Sequence, residues 1–380
     1  YDKVGNRSKT SYPNGITSSY QYDELNRLIN LESRDKQNNL IAQYSYQLDN
    51  TGRRTQEIDH TGRTVDYEYD ELYRLTQETI TTNDGTTIVN TYQYDNTGNR
   101  TFSTEDGVST AYTYDANDRL IQMGGEHYQY DDNGNTLSVS IDQSETQYRY
   151  DENNHLIELE TKENGVQQSL VKYEYDHDGN RIRQQQGNTT TEYVNDKMLD
   201  YVQVVGEKEN SQIQVFYTHG DDLISQTRTS STHFYQYDGH GSTRLLTDTS
   251  GSTTDSYDFS AYGTVINQTG STPNDFLYTG EQFDRALDQY YLRARYYDPS
   301  AGRFTQMDTY AGTSSDPVSL HKYLYANADP VNFSDPTGNF SMGSLSAAMN
   351  IGARLALAAS QVQSIGSIFG AVTDPNADAS

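Results

Sequence analysis

The chain of 380 residues carries 54 acidic against 27 basic side chains, a net charge of −27, which repels phosphate backbones and anionic membranes and argues against nucleic-acid binding. It has no cysteine, so neither a disulfide framework nor a thiolate metal site is available. Apolar residues make up only 33%, yet 34 tyrosines recur in register, and disordered chains are poor in aromatic residues.

From its first residues, "YDKVGNRSKT", the chain reads as a fragment that opens in mid-repeat, with no initiating methionine and no signal peptide. Tyrosine-aspartate pairs follow at Tyr22-Asp23, Tyr69-Asp70, Tyr94-Asp95, Tyr114-Asp115, Tyr130-Asp131, Tyr150-Asp151 and Tyr175-Asp176, with a degenerate copy, "YQLDNTGRR", from Tyr46. The period is about twenty residues. The clearest unit is "YQYDNTGNR" (92–100): Tyr92 and Tyr94 share one face of a strand, Asp95 accepts from the turn amides, Gly98 takes a positive φ, and Arg100 opens the return strand. Each unit is predicted to be a β-hairpin. Hairpins side by side would bury the tyrosine rings and leave the hydroxyls in water.

Between about 190 and 236 the signature lapses into alternating runs that still predict strands, and it returns in "HFYQYDGHGSTRLLTDTSGSTTDSYDFSAYGTV" (233–265). The glycine-rich "DGHGSTR" (238–244) lacks a phosphate-binding lysine and reads as a turn. No His-Glu-x-x-His or Gly-x-Ser-x-Gly motif is present, and the sequence calls for no cofactor and no metal.

The hairpins resemble the tyrosine-aspartate repeats of bacterial Rhs proteins and of the C subunits of insecticidal Tc toxin complexes. "FLYTGEQFDRALDQYYLRARYYDPSAGRFTQMDTYAG" (276–312) and "SLHKYLYANADPVNFSDPTG" (319–338) are similar to the Rhs-associated core. The resemblance implies an all-β fold: a spiralling, cocoon-like sheet of hairpins forming a partial shell over 1–275, closed by a core plug at 276–339. The tail, 340–380, would begin the variable C-terminal cargo. The resemblance also implies that the core is an aspartyl autoprotease working once, on its own chain.

Five of the seven prolines follow aspartate, and each Asp-Pro pair is first of all a stiff bend that breaks a ladder. The family pattern singles out Asp308, after Gly-Arg-Phe, and Asp335, in the last Asp-Pro-x-Gly, as a carboxylate pair; such a pair divides base and acid roles. Arg303 is the candidate for orienting a carboxylate, beside its plainer reading as a salt-bridge partner. The cleavage site spans Gly338, Asn339 and Phe340, with Asn339–Phe340 favoured over Gly338–Asn339. Thr309 replaces a usual proline and Asn339 a usual apolar residue.

After the core, tyrosine disappears and helix formers run from Ser344 to about Gly370, predicting a helical tail. Polar residues dilute its uncharged stretch, so an amphipathic helix is favoured over membrane insertion. The implied partners are the protein's own toxin cargo, N-terminal repeats or delivery proteins of a secretion system (type VI among them) or toxin complex, and an immunity protein, in a secreted or cell-surface setting of bacterial competition. Two other readings stay open: a non-catalytic adhesion protein binding glycans on tyrosine faces, and a carrier of a membrane-active C-terminal peptide.

Overall fold

In the computed structural model the described residues are 1–198, 201–229, 231–339 and 341–343. They form one long antiparallel sheet of 25 strands, from β1 (Lys9–Ser11) to β25 (Val265–Thr269), each strand paired with the next in the chain. Among the described residues no ladder joins β1 to β25, and the sheet they form is not closed. It nevertheless curls until its start meets strands far along the chain. Asn14 donates to Thr247 Oγ1 at 3.1 Å and to the Asp248 carbonyl at 2.8 Å, and the Tyr12 ring meets Phe234 edge-on. The stretch where the signature lapses continues the sheet, including β18 (Thr189–Asp196) and β22 (Ser231–Tyr237).

The local cause is the predicted one. Asp95 Oδ1 accepts from the amides of Thr97, Gly98 and Asn99 at 2.9 Å each, and Gly98 sits at φ 103° with a register shift between Gln93 and Tyr94. At the matching turn position Asn26, Asp118 and Asn154 also adopt positive φ, as short polar side chains can. The first tyrosine of the unit is buried, Tyr92 at 2% exposure. The second tyrosine corrects the sequence reading, because its hydroxyl is not left to water. The hydroxyls of Tyr22, Tyr69, Tyr94, Tyr114, Tyr175 and Tyr237 donate to the carbonyls of Arg7, Arg54, Leu75, Arg100, Leu156 and Leu223 in the preceding unit. Each tyrosine therefore ties its hairpin to the one before, as a buried hydroxyl requires a partner.

Residues 276–339 leave this sheet and pack against one end of it. A four-stranded sheet holds β26 (Gln282–Asp284), β27 (Gln289–Leu292), β28 (Arg295–Asp298) and β29 (Arg303–Phe304). Tyr290, Tyr297, Phe304 and Tyr325 pack in its core together with Tyr217, Tyr235 and Leu246 of the large sheet, Tyr297 stacked on Tyr325 and Phe304 edge-on to both. This segment touches hairpin turns all the way round the curl. Asn332 Oδ1 accepts from the Arg54 amide, His321 meets Asn99, the Tyr323 hydroxyl donates to the Gly134 carbonyl, and Gln306 donates to the Asn154 carbonyl. Arg181 reaches in the opposite direction, to Asp284 at 2.6 Å, with both side chains about 1% exposed.

Among the described residues no helix is long and apolar enough to cross a membrane. The helix expected from Ser344 to Gly370 lies outside the described residues, as does Phe340. At the start of the tail Met342–Gly343 forms β31, paired with β30 (Phe333–Ser334).

Candidate active site

The β27–β28 hairpin turns on two residues, Arg293 and Ala294, so that Arg295 opens the return strand pointing inward. Its guanidinium lies 3.6 Å from the Phe304 ring centroid and is buried. An arginine placed there needs acceptors for its donors, and the chain supplies them from three directions. Nη2 meets Asp308 Oδ2 at 2.8 Å and Asp335 Oδ2 at 3.7 Å, Nη1 donates to the Lys322 carbonyl at 3.0 Å, and Nε donates to the Gly338 carbonyl. Two carboxylates distant in sequence thus share one nitrogen. The loop between them folds back through Lys322, whose carbonyl also accepts from the Asp308 amide at 2.9 Å.

Each carboxylate is held by its own turn. Asp308 Oδ1 accepts from the Tyr310 amide at 2.7 Å, and Asp335 Oδ1 accepts from the Thr337 hydroxyl and the Asn339 amide, both at 3.1 Å. Gly338 is required for two reasons. Its φ is 71°, and a Cβ there would lie 2.4 Å from the Leu292 carbonyl oxygen. The peptide unit joining Gly338 to Asn339 is consequently gripped at both ends: its carbonyl accepts from Arg295 and its N–H donates to Asp335.

Burial pushes both carboxyl groups above the ordinary aspartate range, and the Arg295 charge pulls them part of the way back. The charge on Asp308 pushes Asp335 further up. Burial likewise lowers Arg295. Close approach of two carboxyl groups makes the second harder to ionise than the first, and the cation between them opposes this.

Asp308 and Asp335, expected as a pair, are brought together. Arg303 is not with them, which corrects its expected role. It donates to the Asp118 carbonyl and stacks between the rings of Tyr114 and Tyr323, at 4.9 and 4.8 Å, fastening the core to a hairpin turn. Arg295, eight positions earlier in the same motif, takes the place given to Arg303. Asp329 is more than a bend: buried and bonded to Asn332, it is raised by burial to about 7. "DGHGSTR" forms a hairpin turn in which Asp238 accepts from the amides of His240 and Ser242. Among the described residues Asp176, His177 and Asp178 could gather on a cation, but Lys197 already bridges both carboxylates at 2.8 and 2.7 Å.

The teneurin YD-shell family model matches residues 1–331. The tRNA3(Ser)-specific nuclease WapA of Bacillus spizizenii (strain DSM 15029 / JCM 12233 / NBRC 101239 / NRRL B-23049 / TU-B-10) is 33% identical over 350 residues, which is 90% of this chain and 14% of that protein. The tRNA nuclease WapA of Bacillus subtilis (strain 168) matches with the same identity and coverage. The chain thus spans about a seventh of the length of these relatives. Among solved structures, the crystal structure of TcdB2-TccC3-Cdc42 superposes with a TM-score of 0.72 at 18% identity, over 89% of this chain and 19% of the other. The Tc holotoxin pore of Photorhabdus luminescens gives 0.73 at 17%, over 91% and 19%. At these identities the superpositions establish the fold.

Proposed function

The chain belongs to the teneurin YD-shell family, and from that premise we propose that it is part of the encapsulating shell of an Rhs-type toxin whose core cuts the chain next to Gly338. In this reading residues 1–275 are shell, 276–339 are the plug that closes it, and 340–380 begin the cargo, delivered outside the producing cell. The observation that carries the proposal is the meeting of Asp308, Asp335 and Arg295 around the Gly338–Asn339 peptide unit. The WapA relatives, named as tRNA nucleases and far longer than this chain, supply a toxin class for what such a shell carries.

The chemistry follows from the arrangement. The ionised carboxylate takes a proton from water as the oxygen adds to the scissile carbonyl carbon. Arg295, donating to the Gly338 carbonyl, stabilises the charge that develops on an oxygen there. The protonated carboxyl gives its proton to the departing nitrogen, the C–N bond breaks, and a new carboxyl and a free amine result. With product and site on one chain, the reaction runs once.

The sequence reading favours the Asn339–Phe340 bond, whereas the contacts around Gly338 favour Gly338–Asn339. Intact mass of the expressed chain decides both questions. Products 1–339 with 340–380, or 1–338 with 339–380, support self-cleavage and identify the bond; an uncut chain that stays uncut contradicts it.

The adhesion reading needs exposed aromatic faces, and Tyr44, Tyr92 and Tyr173 of the repeats are instead buried, at 4% exposure or less. The membrane-peptide reading rests on the tail beyond Gly343, outside the described residues.

A further inference from the structure

The turn that presents Arg295 has a second arginine at its tip. Arg293 sits at φ 62°, the first position of a two-residue hairpin loop, where glycine is the ordinary occupant. A long side chain held in that conformation directs attention to what the side chain does. It is only partly exposed, and its nitrogens serve three separate segments. Nη1 donates to Glu281 Oε2 at 2.8 Å and to the Pro336 carbonyl at 2.5 Å, while Nε donates to the Val202 carbonyl at 3.2 Å. The guanidinium also lies 5.5 Å from the Tyr201 ring centroid.

Each partner matters. Pro336 lies inside the Asp335–Gly338 turn, one residue from the carboxylate and two from the gripped carbonyl. Glu281 begins the approach to β26 and is buried, so its charge depends on Arg293; burial raises it, Arg293 lowers it, and the Asp335 charge raises it again. Val202 belongs to neither. It lies in the large sheet's connection between β18 and β19 (Gln203–Glu209), in the stretch where the tyrosine-aspartate signature lapses. The turn is also tied to the hairpin by the Ala294 amide, which donates to the Thr337 carbonyl at 3.3 Å, and by Arg295.

We propose that Arg293 is a positioning residue that couples the Asp335–Gly338 turn to the large sheet at Val202, so that self-cleavage waits until this part of the sheet has folded against the core. The proposal rests on the self-cleavage reading for its consequence, but the coupling itself is a statement about two segments. Its physical basis is that one rigid guanidinium fork spans both, and an acceptor lost on one side loosens the geometry on the other. A cut made before the sheet has formed would release the tail too early; a turn completed by the sheet prevents that.

The test uses the full chain carrying Asp308→Asn, which preserves every contact of Asp335 except the one through the shared cation and removes one member of the carboxylate pair. Amide hydrogen exchange is compared with and without Arg293→Ala. Faster exchange in both 201–204 and 333–339, with equal melting temperature, supports the coupling. A change confined to one segment, or to neither, overturns it. Should Arg293→Ala fail to fold, Arg293→Lys is read the same way, since an ammonium cannot serve all three acceptors at once. In the otherwise native chain, Arg293→Ala slows self-cleavage on the order of 10²-fold, the scale of a displaced reacting group, and Arg293→Lys recovers part of it. A native rate overturns the proposal. If the native chain is never cut, the cleavage reading fails while the exchange result still decides the coupling.

Discussion

Two sets of carboxylates in this chain face opposite environments. The turn aspartates are ringed by donors: Asp49 Oδ1 accepts from the amides of Thr51 and Arg53 and from the Thr51 hydroxyl. Although desolvation opposes it, the sum of these bonds holds Asp49 at about 2, and Asp176, with Lys197 beside it, also at about 2. The interior carboxylates have burial with few donors. Glu78, Glu207 and Asp329 are raised by it to about 7, and Asp308 and Asp335 are raised as well. Acidic side chains thus build hairpins where their charge is welcome and hold their protons more tightly where it is not.

The sharpest way to break this contrast is to strand a charge inside. Asp284 is the acid that keeps Arg181 tolerable in the interior, aided by Gln282 at 2.7 Å and the Tyr296 hydroxyl at 3.0 Å. Asp284→Ala is expected to destabilise the protein by about 3–5 kcal/mol, the cost of a buried ion left without its partner, read as a lowered denaturant midpoint at unchanged slope.

An effect of similar size per group comes from pH. A carboxyl raised from its unfolded value near 3.8 to about 7, as at Asp329, binds its proton more tightly in the folded state. Stability therefore falls as pH rises from about 4 to about 7, by about 1.4 kcal/mol for each pH unit per group, and is flat above that. Glu78 and Glu207 contribute in the same sense. Asp329→Asn is expected to flatten the stability profile over this window, in proportion to its share among the three. The turn aspartates act oppositely, gaining stability as pH rises from about 2 to about 4 and losing it as pH falls through about 2. The smallest effect is at a single turn: Asp49→Ala costs about 1 kcal/mol, the scale of a few partly exposed hydrogen bonds, seen as a drop of a few degrees or less in melting temperature.

The hairpins were legible because each letter of Tyr-x-Tyr-Asp-x-x-Gly-Asn-Arg answers a local demand of strand or turn. Asp95 and Gly98 meet theirs within five residues. The tyrosine hydroxyls were misread because their acceptors lie in the preceding hairpin, 14 residues back for Tyr114 and 19 for Tyr94. At the site, Asp308 and Asp335 came from the family pattern, while their cation did not. Arg295 and Arg303 stand in one motif, and only the fold decides which reaches the pair: Arg295 lines up under the Asp335 turn, Arg303 under the Asp118 turn. No alternation along β28 marks it, since Arg295, Tyr296 and Tyr297 are all buried.

The most direct measurement sets the two kinds of carboxylate side by side in one experiment: intact masses of the native chain, Asp335→Asn and Asp176→Asn after identical expression. The native chain and Asp176→Asn are expected to be cut beside Asn339, and Asp335→Asn to stay whole. Equal cutting of all three, or of none, would contradict this.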